Sequence, residues 1–301
     1  MNAAAADSDR LTRFLLDRAG VRGVRVHLGD SWTQIRERDD YPLAVAELLG
    51  EATAAAALFT GHAKVDGRLS VQLRGEGRLR TLFTECTAAG TLRGIARLAE
   101  DDASPVSRDL RELGPGAMLA ITIENRGAAG REPLRYQGVV ALEADDLATA
   151  FEQYFRQSEQ LPTRLLLAAD AGHAAGLMLQ KLPGDEGDED GWNRASALFD
   201  TLRPDELLQW PAETLLTRLF HEEGVRLLGD KPLRFACSCS QGRVAAMLQS
   251  LGRDQARAAV IGGSAHVRCE FCGQAYRFTA EEVEGLFSQA GPEAPAPGAL
   301  Q

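Results

Sequence analysis

Four cysteines in the last quarter of the chain are the residues with the clearest potential for chemistry. Cys237 and Cys239 form a C-x-C pair, Cys269 and Cys272 form a C-x-x-C pair, and only one further cysteine occurs in the 301 residues. Two pairs of thiolates brought together make the tetrahedral four-sulfur set that a structural zinc ion binds. The C-x-x-C spacing is usual for zinc ligands, whereas C-x-C and the long separation between the pairs are unusual for a zinc ribbon.

Spacing alone leaves three interpretations of these cysteines open: a closed structural zinc ribbon, a redox-active zinc centre, or a pair of disulfides without metal. The cellular compartment helps to choose among these three interpretations. In a reducing cytosol, clustered cysteines are metal ligands or redox sensors rather than permanent disulfides. We therefore expect the cysteine cluster to be a metal site, a redox sensor or both.

The remaining candidate residues do not suggest catalysis. His266 lies three residues before Cys269, but four cysteines already complete a zinc site without it. Cys86 stands alone and is interpreted as a buried structural thiol. The other four histidines form no motif, and no Ser-His-Asp or paired-carboxylate constellation is visible. We predict that the protein is not an enzyme.

Charge and hydropathy limit the class of protein. The chain carries 43 acidic and 33 basic residues, a formal charge of -10, which is the opposite of the bias expected for a protein that binds nucleic acid over its whole surface. No stretch approaches the roughly 20 apolar residues of a membrane span. The first residues, 1–7, lack the basic and apolar regions of a signal peptide. The expected location is therefore the cytoplasm, with no membrane partner.

The pattern of apolar residues predicts an α+β fold with a mainly antiparallel sheet. A helix is expected over residues 42–59 and another over 145–157, capped by Asp145 or Asp146. Apolar alternation and turn residues predict strands. These strands lie at 21–32, 69–73, 79–83, 91–98, 118–123, 136–142, 165–169 and 176–182. Many strands with intervening helices, and no phosphate-binding glycine loop, favour this fold class.

The composition changes sharply after Pro183, at a charged and turn-rich stretch that we interpret as a domain boundary. Residues 184–230 hold 12 acids and 4 bases but also a helical apolar pattern, which predicts two or three amphipathic helices laid over a neighbouring surface. An ordinary helical subdomain explains this segment equally well. Residues 233–287 hold the four cysteines, and the tail at 288–301 is expected to be disordered.

The sequence resembles the heat shock protein 33 family of redox-regulated chaperones. The C-x-C and C-x-x-C pairs, in this order near the C-terminus, carry the resemblance. Further similarity lies in residues 154–163, Y-F-R-Q-S-E-Q-L-P-T, and 175–183, A-G-L-M-L-Q-K-L-P. Two motifs depart from the family: Ile95 stands where Tyr is more common, and Gly242 stands where S-x-E-R has Glu. Neither departure involves a sulfur, and the resemblance covers roughly residues 10 to 287. The resemblance implies an α+β core domain at 1–183, an acidic helical linker at 184–232 and a zinc-binding redox-switch domain at 233–287, a division that matches the boundary after Pro183.

The resemblance implies an ATP-independent holdase that binds unfolded client proteins under oxidative stress. In the reduced form one zinc per chain would be bound by Cys237, Cys239, Cys269 and Cys272. Oxidation would form the disulfides Cys237–Cys239 and Cys269–Cys272, release zinc and unfold the linker. The spacing suits the second bridge, whereas the first closes a tight ring. The resemblance also implies a homodimer in the oxidised form and downstream refolding by ATP-dependent chaperones. No P-loop is present in the sequence, in keeping with a holdase.

Two other functions compete with this one. A zinc-ribbon module that binds nucleic acid is conceivable because residues 231–278 carry seven bases and two acids, although the adjacent acidic segment would repel phosphate. A thiol oxidoreductase could use the C-x-x-C pair, but such enzymes place it at a helix N-terminus beside a β-α-β pattern, which the sequence does not predict.

Overall fold

The computed structural model describes residues 8–63, 65–127, 134–184, 188 and 190–288. The chain divides into two compact units, Met1–Ala236 and Cys237–Gln301. The predicted tail lies outside the described residues except for Ser288, the last residue of the final helix.

The strands of the first unit form two sheets. The first sheet has the order β10-β1-β2-β9-β8 and is antiparallel throughout. The second has the order β11-β5-β4-β3-β6-β7, and only its β11–β5 pair is parallel. The strands are β1 (Arg10–Leu16), β2 (Val21–Leu28), β3 (Gly67–Arg74), β4 (Leu79–Thr87), β5 (Thr91–Leu98), β6 (Met118–Asn125), β7 (Leu134–Val140), β8 (Thr163–Ala169), β9 (Ala174–Lys181), β10 (Val225–Pro232) and β11 (Arg234–Phe235).

The helices of this unit fall into two groups. The first group lies within the predicted core domain: α1 (Asp30–Arg36), α2 (Leu43–His62) and α3 (Leu147–Ser158). The second lies within the predicted linker: α4 (Gly191–Phe199), α5 (Pro204–Gln209) and α6 (Ala212–Phe220). The predicted cap of α3 is Asp146, whose carboxylate accepts the N–H of Thr149 at 2.7 Å.

Helix α2 is the central core element, and it packs against both sheets. Fifteen of its twenty residues are buried. On the second sheet, the hydroxyl of Thr84 donates to the carbonyl of Ala52 at 3.0 Å. On the first sheet, a Cβ on Gly176 would lie 2.5 Å from Leu58 Cδ1, so glycine permits the close approach. The expectation that no stretch approaches a membrane span was wrong, because α2 is long and apolar enough to cross a membrane by length and composition. However, 83% of its most apolar window is buried inside the protein, as in a core helix.

Helices α4 to α6 cover the other face of the first sheet. Their buried side chains, among them Phe199 and Leu215, form one apolar cluster with Phe14 of β1 and with Leu177 and Leu179 of β9. The predicted amphipathic helices are therefore present, and they pack on a neighbouring surface. The chain then forms β10, a strand that the sequence did not predict, which pairs with β1 along its length.

The predicted α+β class with mainly antiparallel sheets is confirmed. The helices predicted at 42–59 and 145–157 form as α2 and α3. The strand expected over 21–32 was wrong in its last part, because it ends at Leu28 and α1 begins at Asp30. Strands β1, β10 and β11 were missed.

The second unit is small and has its own core. Its elements are α7 (Gln241–Ser250), α8 (Arg253–Ala258), β12 (Val260–Ile261), β13 (Ser264–Arg268), β14 (Ala275–Thr279) and α9 (Ala280–Ser288). The buried apolar residues of this core are Val244, Leu248, Ala256, Ala265, Phe278 and Val283. Helix α9 begins with a capping box, in which Thr279 and Glu282 exchange backbone-to-side-chain hydrogen bonds of 2.8 and 3.2 Å.

A buried carboxylate on α2 makes the stability of the first unit depend on pH. Glu51 is 6% exposed and pairs with Arg108, which also contacts Glu47. Desolvation raises the pKa of Glu51 to about 7, although the charge of Arg108 opposes the shift. A carboxyl whose pKa is raised in the folded state stabilises the fold below its unfolded pKa, and this stabilisation is lost as pH rises toward the folded pKa.

We predict that Glu51→Gln removes this pH dependence. Between about pH 4.5 and 7.5, the unfolding free energy of the wild type should fall by about 3 kcal/mol relative to that of the variant. Denaturant unfolding of both proteins at several pH values measures the difference. Glu47→Gln, which removes the other carboxylate beside Arg108, is the matched control and should keep the wild-type dependence. Parallel stability curves for the wild type and Glu51→Gln would contradict the prediction.

Candidate metal centre

Two local structures position the cysteine sulfurs. Cys237 and Cys239 directly precede α7, whose first turn is capped by the hydroxyl of Ser240. Cys269 and Cys272 lie in the tight turn between β13 and β14. In this turn the N–H of Gly273 donates to the carbonyl of Cys269 at 2.7 Å, and Gly273 adopts a φ of 73°, which glycine accommodates without strain.

The structure brings all four predicted cysteines together. The sulfurs lie within 4.8 Å of one another, with Cys237 Sγ 3.6 Å from Cys269 Sγ and Cys239 Sγ 3.3 Å from Cys272 Sγ. A tetrahedral zinc site with Zn–S bonds of ~2.3 Å requires sulfurs about 3.8 Å apart. The arrangement is therefore a possible metal-binding site whose donor set and size suit zinc. All four cysteines are free thiols in this conformation, so the predicted disulfides stay predictions.

The electrostatics of the site distinguish the four sulfurs. Desolvation tends to raise the pKa of Cys239, but hydrogen bonds from Tyr276 and from the neighbouring cysteines lower it to about 7. Desolvation raises the pKa of Cys272 to about 12 and also raises that of Cys237. One thiolate suppresses ionisation of its neighbours unless a cation is present, since like charges repel at these distances. The arrangement of the four sulfurs is thus compatible with binding a positive ion.

Backbone amides also contribute to the site. The backbone amide of Cys239 lowers the pKa of Cys237, and that of Gln274 lowers the pKa of Cys272, each against a larger effect of desolvation. Backbone amides stabilise thiolates without adding a formal charge.

Sequence reasoning missed Tyr276, whose hydroxyl donates to Cys239 Sγ at 3.0 Å. Tyr276 lies on β14, which pairs with β13 beside the C-x-x-C turn. The available signal was an aromatic hydroxyl four residues after Cys272. Tyr276 is therefore a positioning residue for the sulfur set.

The other candidate residues lie elsewhere. His266 Nε2 is 2.9 Å from the hydroxyl of Ser264, and His266 is not part of the sulfur group. Cys86 is 1% exposed on β4, and burial raises its pKa to about 12, which confirms that this thiol is buried. The C-x-x-C pair lies in a turn between two strands and not at the start of a helix, which disfavours a thiol oxidoreductase.

The comparison with protein families decides the affiliation. The model of the Hsp33 protein family matches residues 9–279. The chain belongs to the Hsp33 family. It is 45% identical over 297 residues to the 33 kDa chaperonin of Ectopseudomonas mendocina, covering 96% of this chain and 98% of the relative. It is 43% identical over 298 residues to the 33 kDa chaperonin of Azotobacter vinelandii, with coverage of 97% and 98%.

A solved structure supports the same affiliation at the level of the fold. The crystal structure of the 33 kDa chaperonin from Thermotoga maritima superposes with a TM-score of 0.76 at 19% sequence identity, covering 93% of this chain and 98% of the other. The Hsp33 homologues support a chaperone role for this chain. The resemblance seen in the sequence is thereby confirmed.

We predict that the reduced protein binds one zinc ion per chain and that Cys272→Ser weakens binding strongly. Removal of one of four thiolates leaves an incomplete tetrahedral set. Metal analysis of the reduced protein and competition with a chromogenic chelator measure stoichiometry and affinity. Cys86→Ser, which changes the buried thiol, is the control and should bind as the wild type does. Absence of zinc, or full affinity in Cys272→Ser, would refute the assignment.

We also predict that Tyr276→Phe lowers zinc affinity by roughly 10- to 100-fold, the usual cost of removing a hydrogen bond to a metal ligand. The phenyl ring keeps the packing and removes only the hydroxyl. The same chelator competition measures the change, and circular dichroism checks the fold. An unchanged affinity would show that the hydroxyl does not support the site.

Proposed function

We propose that the protein is a redox-regulated, ATP-independent holdase of the cytoplasm. In this proposal the reduced form is inactive, and oxidation of the cysteine cluster exposes an apolar surface that binds unfolded client proteins. The observation that carries the proposal is the convergence of four free thiols in a chain of a chaperone family. No enzymatic activity is part of this function.

The four cysteines Cys237, Cys239, Cys269 and Cys272 would hold zinc in the reduced form. Bound zinc supplies positive charge that keeps the sulfurs deprotonated, and the thiolate is the oxidisable form. The backbone donors of Cys239 and Gln274 and the hydroxyl of Tyr276 orient the sulfurs and share their charge. In the reduced form the sulfurs would therefore be thiolates that can react with an oxidant, while zinc itself takes no part in the redox reaction.

Oxidation by a peroxide would proceed in two steps, formation of a sulfenic acid and then of a disulfide. A thiolate sulfur attacks one peroxide oxygen, so that an S–O bond forms while the O–O bond breaks, which gives a sulfenic acid and water after proton uptake. A second thiolate then attacks this sulfur, forms the S–S bond and displaces hydroxide, which leaves as water. The two sulfurs together lose two electrons to the peroxide. We propose Cys269–Cys272 and Cys237–Cys239 as the bridges.

A disulfide removes two of the four donors, so the second unit would lose its metal. Structural zinc contributes ~10–16 kcal/mol to the folding of small zinc peptides. The second unit has a core of only a few buried residues and is expected to unfold when this contribution is lost. The first unit ends at Ala236, immediately before Cys237, so unfolding of the second unit frees the chain that follows β11.

The surface exposed in the active form would be the outer face of the first sheet together with the apolar sides of α4 to α6. These helices have nine, six and nine residues, and isolated helices of this length are unstable in water. Their structure therefore depends on docking. Once undocked, they and the sheet beneath them offer the extended apolar area that unfolded chains bind.

One ion-paired cluster holds the linker segment together, and a second ion pair connects it to the sheet. Arg194 on α4 makes paired hydrogen bonds of 2.9 Å with Asp188 and also with the 3%-exposed Glu223. Arg164 on β8 contacts Asp200 at the end of α4. These contacts give the acidic segment a defined resting position despite its charge.

The proposal predicts that the oxidised protein suppresses aggregation of a denaturant-unfolded client without ATP, whereas the reduced, zinc-loaded protein gives little protection. Light scattering measures aggregation. Reductant should release the client, and refolding would then need ATP-dependent chaperones. Equal protection by both forms, or a strict requirement for ATP, would exclude the mechanism. A salt-dependent gel shift with RNA would instead favour the nucleic-acid alternative.

We further predict that replacing Phe199 and Leu202 with Ser activates the reduced protein. Both side chains are buried under the linker helices, and truncation of a buried Phe alone costs about 3–5 kcal/mol. Docking should weaken while the cysteine cluster stays reduced. Light scattering with the reduced variant measures the effect, and Ser replacement of the exposed linker residue Ala197 is the control. If the folded variant needs as much oxidant as the wild type, the linker is not the element that blocks activity.

A further inference from the structure

Two polar side chains interrupt the apolar surface beneath the linker helices. Arg25 and His27 are alternate residues of β2 and therefore point to the same face of the sheet. Arg25 is 1% exposed and His27 is 7% exposed. The neighbouring positions on this face include the apolar Leu177 on β9 and Phe14 on β1. They also include the buried Thr12, which lies opposite Arg25 on β1 and whose hydroxyl donates to Asp230. A buried guanidinium in such surroundings must be matched by acceptors.

Both side chains bind backbone carbonyl groups at the end of α5. Arg25 Nη2 donates to the carbonyl of Trp210 at 2.6 Å, and His27 Nε2 lies 2.8 Å from the carbonyl of Leu208. Because a carbonyl only accepts, Nε2 carries the proton in the second contact. The last carbonyls of a helix have no partner within the helix and carry partial negative charge. The sheet thus supplies donors that complete the C-terminal end of α5.

The segment that Arg25 and His27 hold, residues 207–210, combines apolar side chains with backbone carbonyls that accept hydrogen bonds. Leu207 and Leu208 are adjacent and buried against the sheet, and the carbonyls that follow point at Arg25 and His27. Trp210 is in turn covered by the guanidinium of Arg218, 4.3 Å from the ring centre. The occupant is therefore an apolar stretch of chain whose backbone carbonyls are free to accept hydrogen bonds.

We propose that Arg25 and His27 form a recognition site for the backbone carbonyls of unfolded clients, which α5 occupies in the resting conformation. This inference rests on the proposed holdase function and adds a polar determinant to its apolar surface. Carbonyls of folded proteins are almost all paired already, whereas an unfolded chain presents apolar side chains next to free carbonyls. The site would therefore select unfolded chains by backbone chemistry and accept many sequences.

The test compares Arg25→Met with the wild type in the full-length, oxidised protein. Two fluorescent probes are used: a synthetic peptide with the sequence of residues 203–220, and reduced, carboxymethylated α-lactalbumin as a permanently unfolded protein. Loss of hydrogen bonds from a charged donor should weaken the binding of both probes by roughly tenfold to hundredfold, measured by anisotropy. Arg13→Met, which removes an exposed arginine from β1 of the same sheet, is the matched control and should bind as the wild type does.

The same variant should also loosen the resting state. In the reduced protein, amide hydrogen exchange at residues 207–210 should become faster in Arg25→Met, while exchange in α2 should not change. Unchanged α2 exchange also verifies that the variant is folded. Arg25→Lys keeps the positive charge and a donor, so it should recover part of the lost probe affinity.

The outcomes separate this inference from the proposed function. If the oxidised wild type binds both probes and Arg25→Met binds them equally well, the surface is purely apolar and the inference is wrong. Equal losses in Arg25→Lys and Arg25→Met would assign the effect to packing and would also overturn it. If the oxidised wild type binds neither probe, the holdase function and the inference fail together.

Discussion

The structure depends on a five-stranded sheet whose inner strands β2 and β9 are buried on both faces, so that the sheet must be covered on each side. One face packs on α2, a twenty-residue helix that is buried on nearly all sides. The other face packs on three short helices from an acidic segment. The first cover is an integral part of the core, whereas the second consists of helices too short to persist without their docking surface. The two faces of the same sheet thus differ in how permanently they are hidden.

Because α4 to α6 are only weakly docked, a change in the stability of the second unit could determine whether they stay docked. The second unit has a small apolar core, so much of its stability would come from four sulfurs holding one ion. Moving a protein from mostly closed to mostly open takes ~5.5 kcal/mol of differential stability, and losing a structural zinc site is worth ~10–16 kcal/mol. In the proposed mechanism, the chemical change at the sulfurs would be large enough to release the weakly docked linker helices without ATP.

Local sequence patterns predicted the elements whose signals are local. The α2 helix, the β3–β4 hairpin and the four-cysteine set could all be read from spacing and alternation. Strand β10 could not, because its partner β1 lies more than 200 residues away and the register Arg10↔Pro232 has no local signature. Helix α1 was not predicted, because its first residues were included in the apolar alternation of the strand expected over 21–32. The family resemblance supplied the linker and its role, which composition alone left undecided.

The functional side chains that were missed share one property. Tyr276, Arg25 and His27 act through contacts with residues distant in sequence or across a turn: a sulfur in one case and backbone carbonyls in the others. A polar residue in an apolar strand signals that something polar faces it, but the sequence does not say what. Only the fold identifies the partner.

The most direct test of the account follows hydrogen exchange through a peroxide titration of the zinc-loaded protein, with zinc release and thiol content measured in the same samples. We predict that amides of α4 to α6 lose protection in step with thiol oxidation and zinc release, while amides of α2 remain protected. If chaperone activity appears while α4 to α6 stay protected, or if these helices are already unprotected in the reduced protein, the conditional cover is not what controls the function.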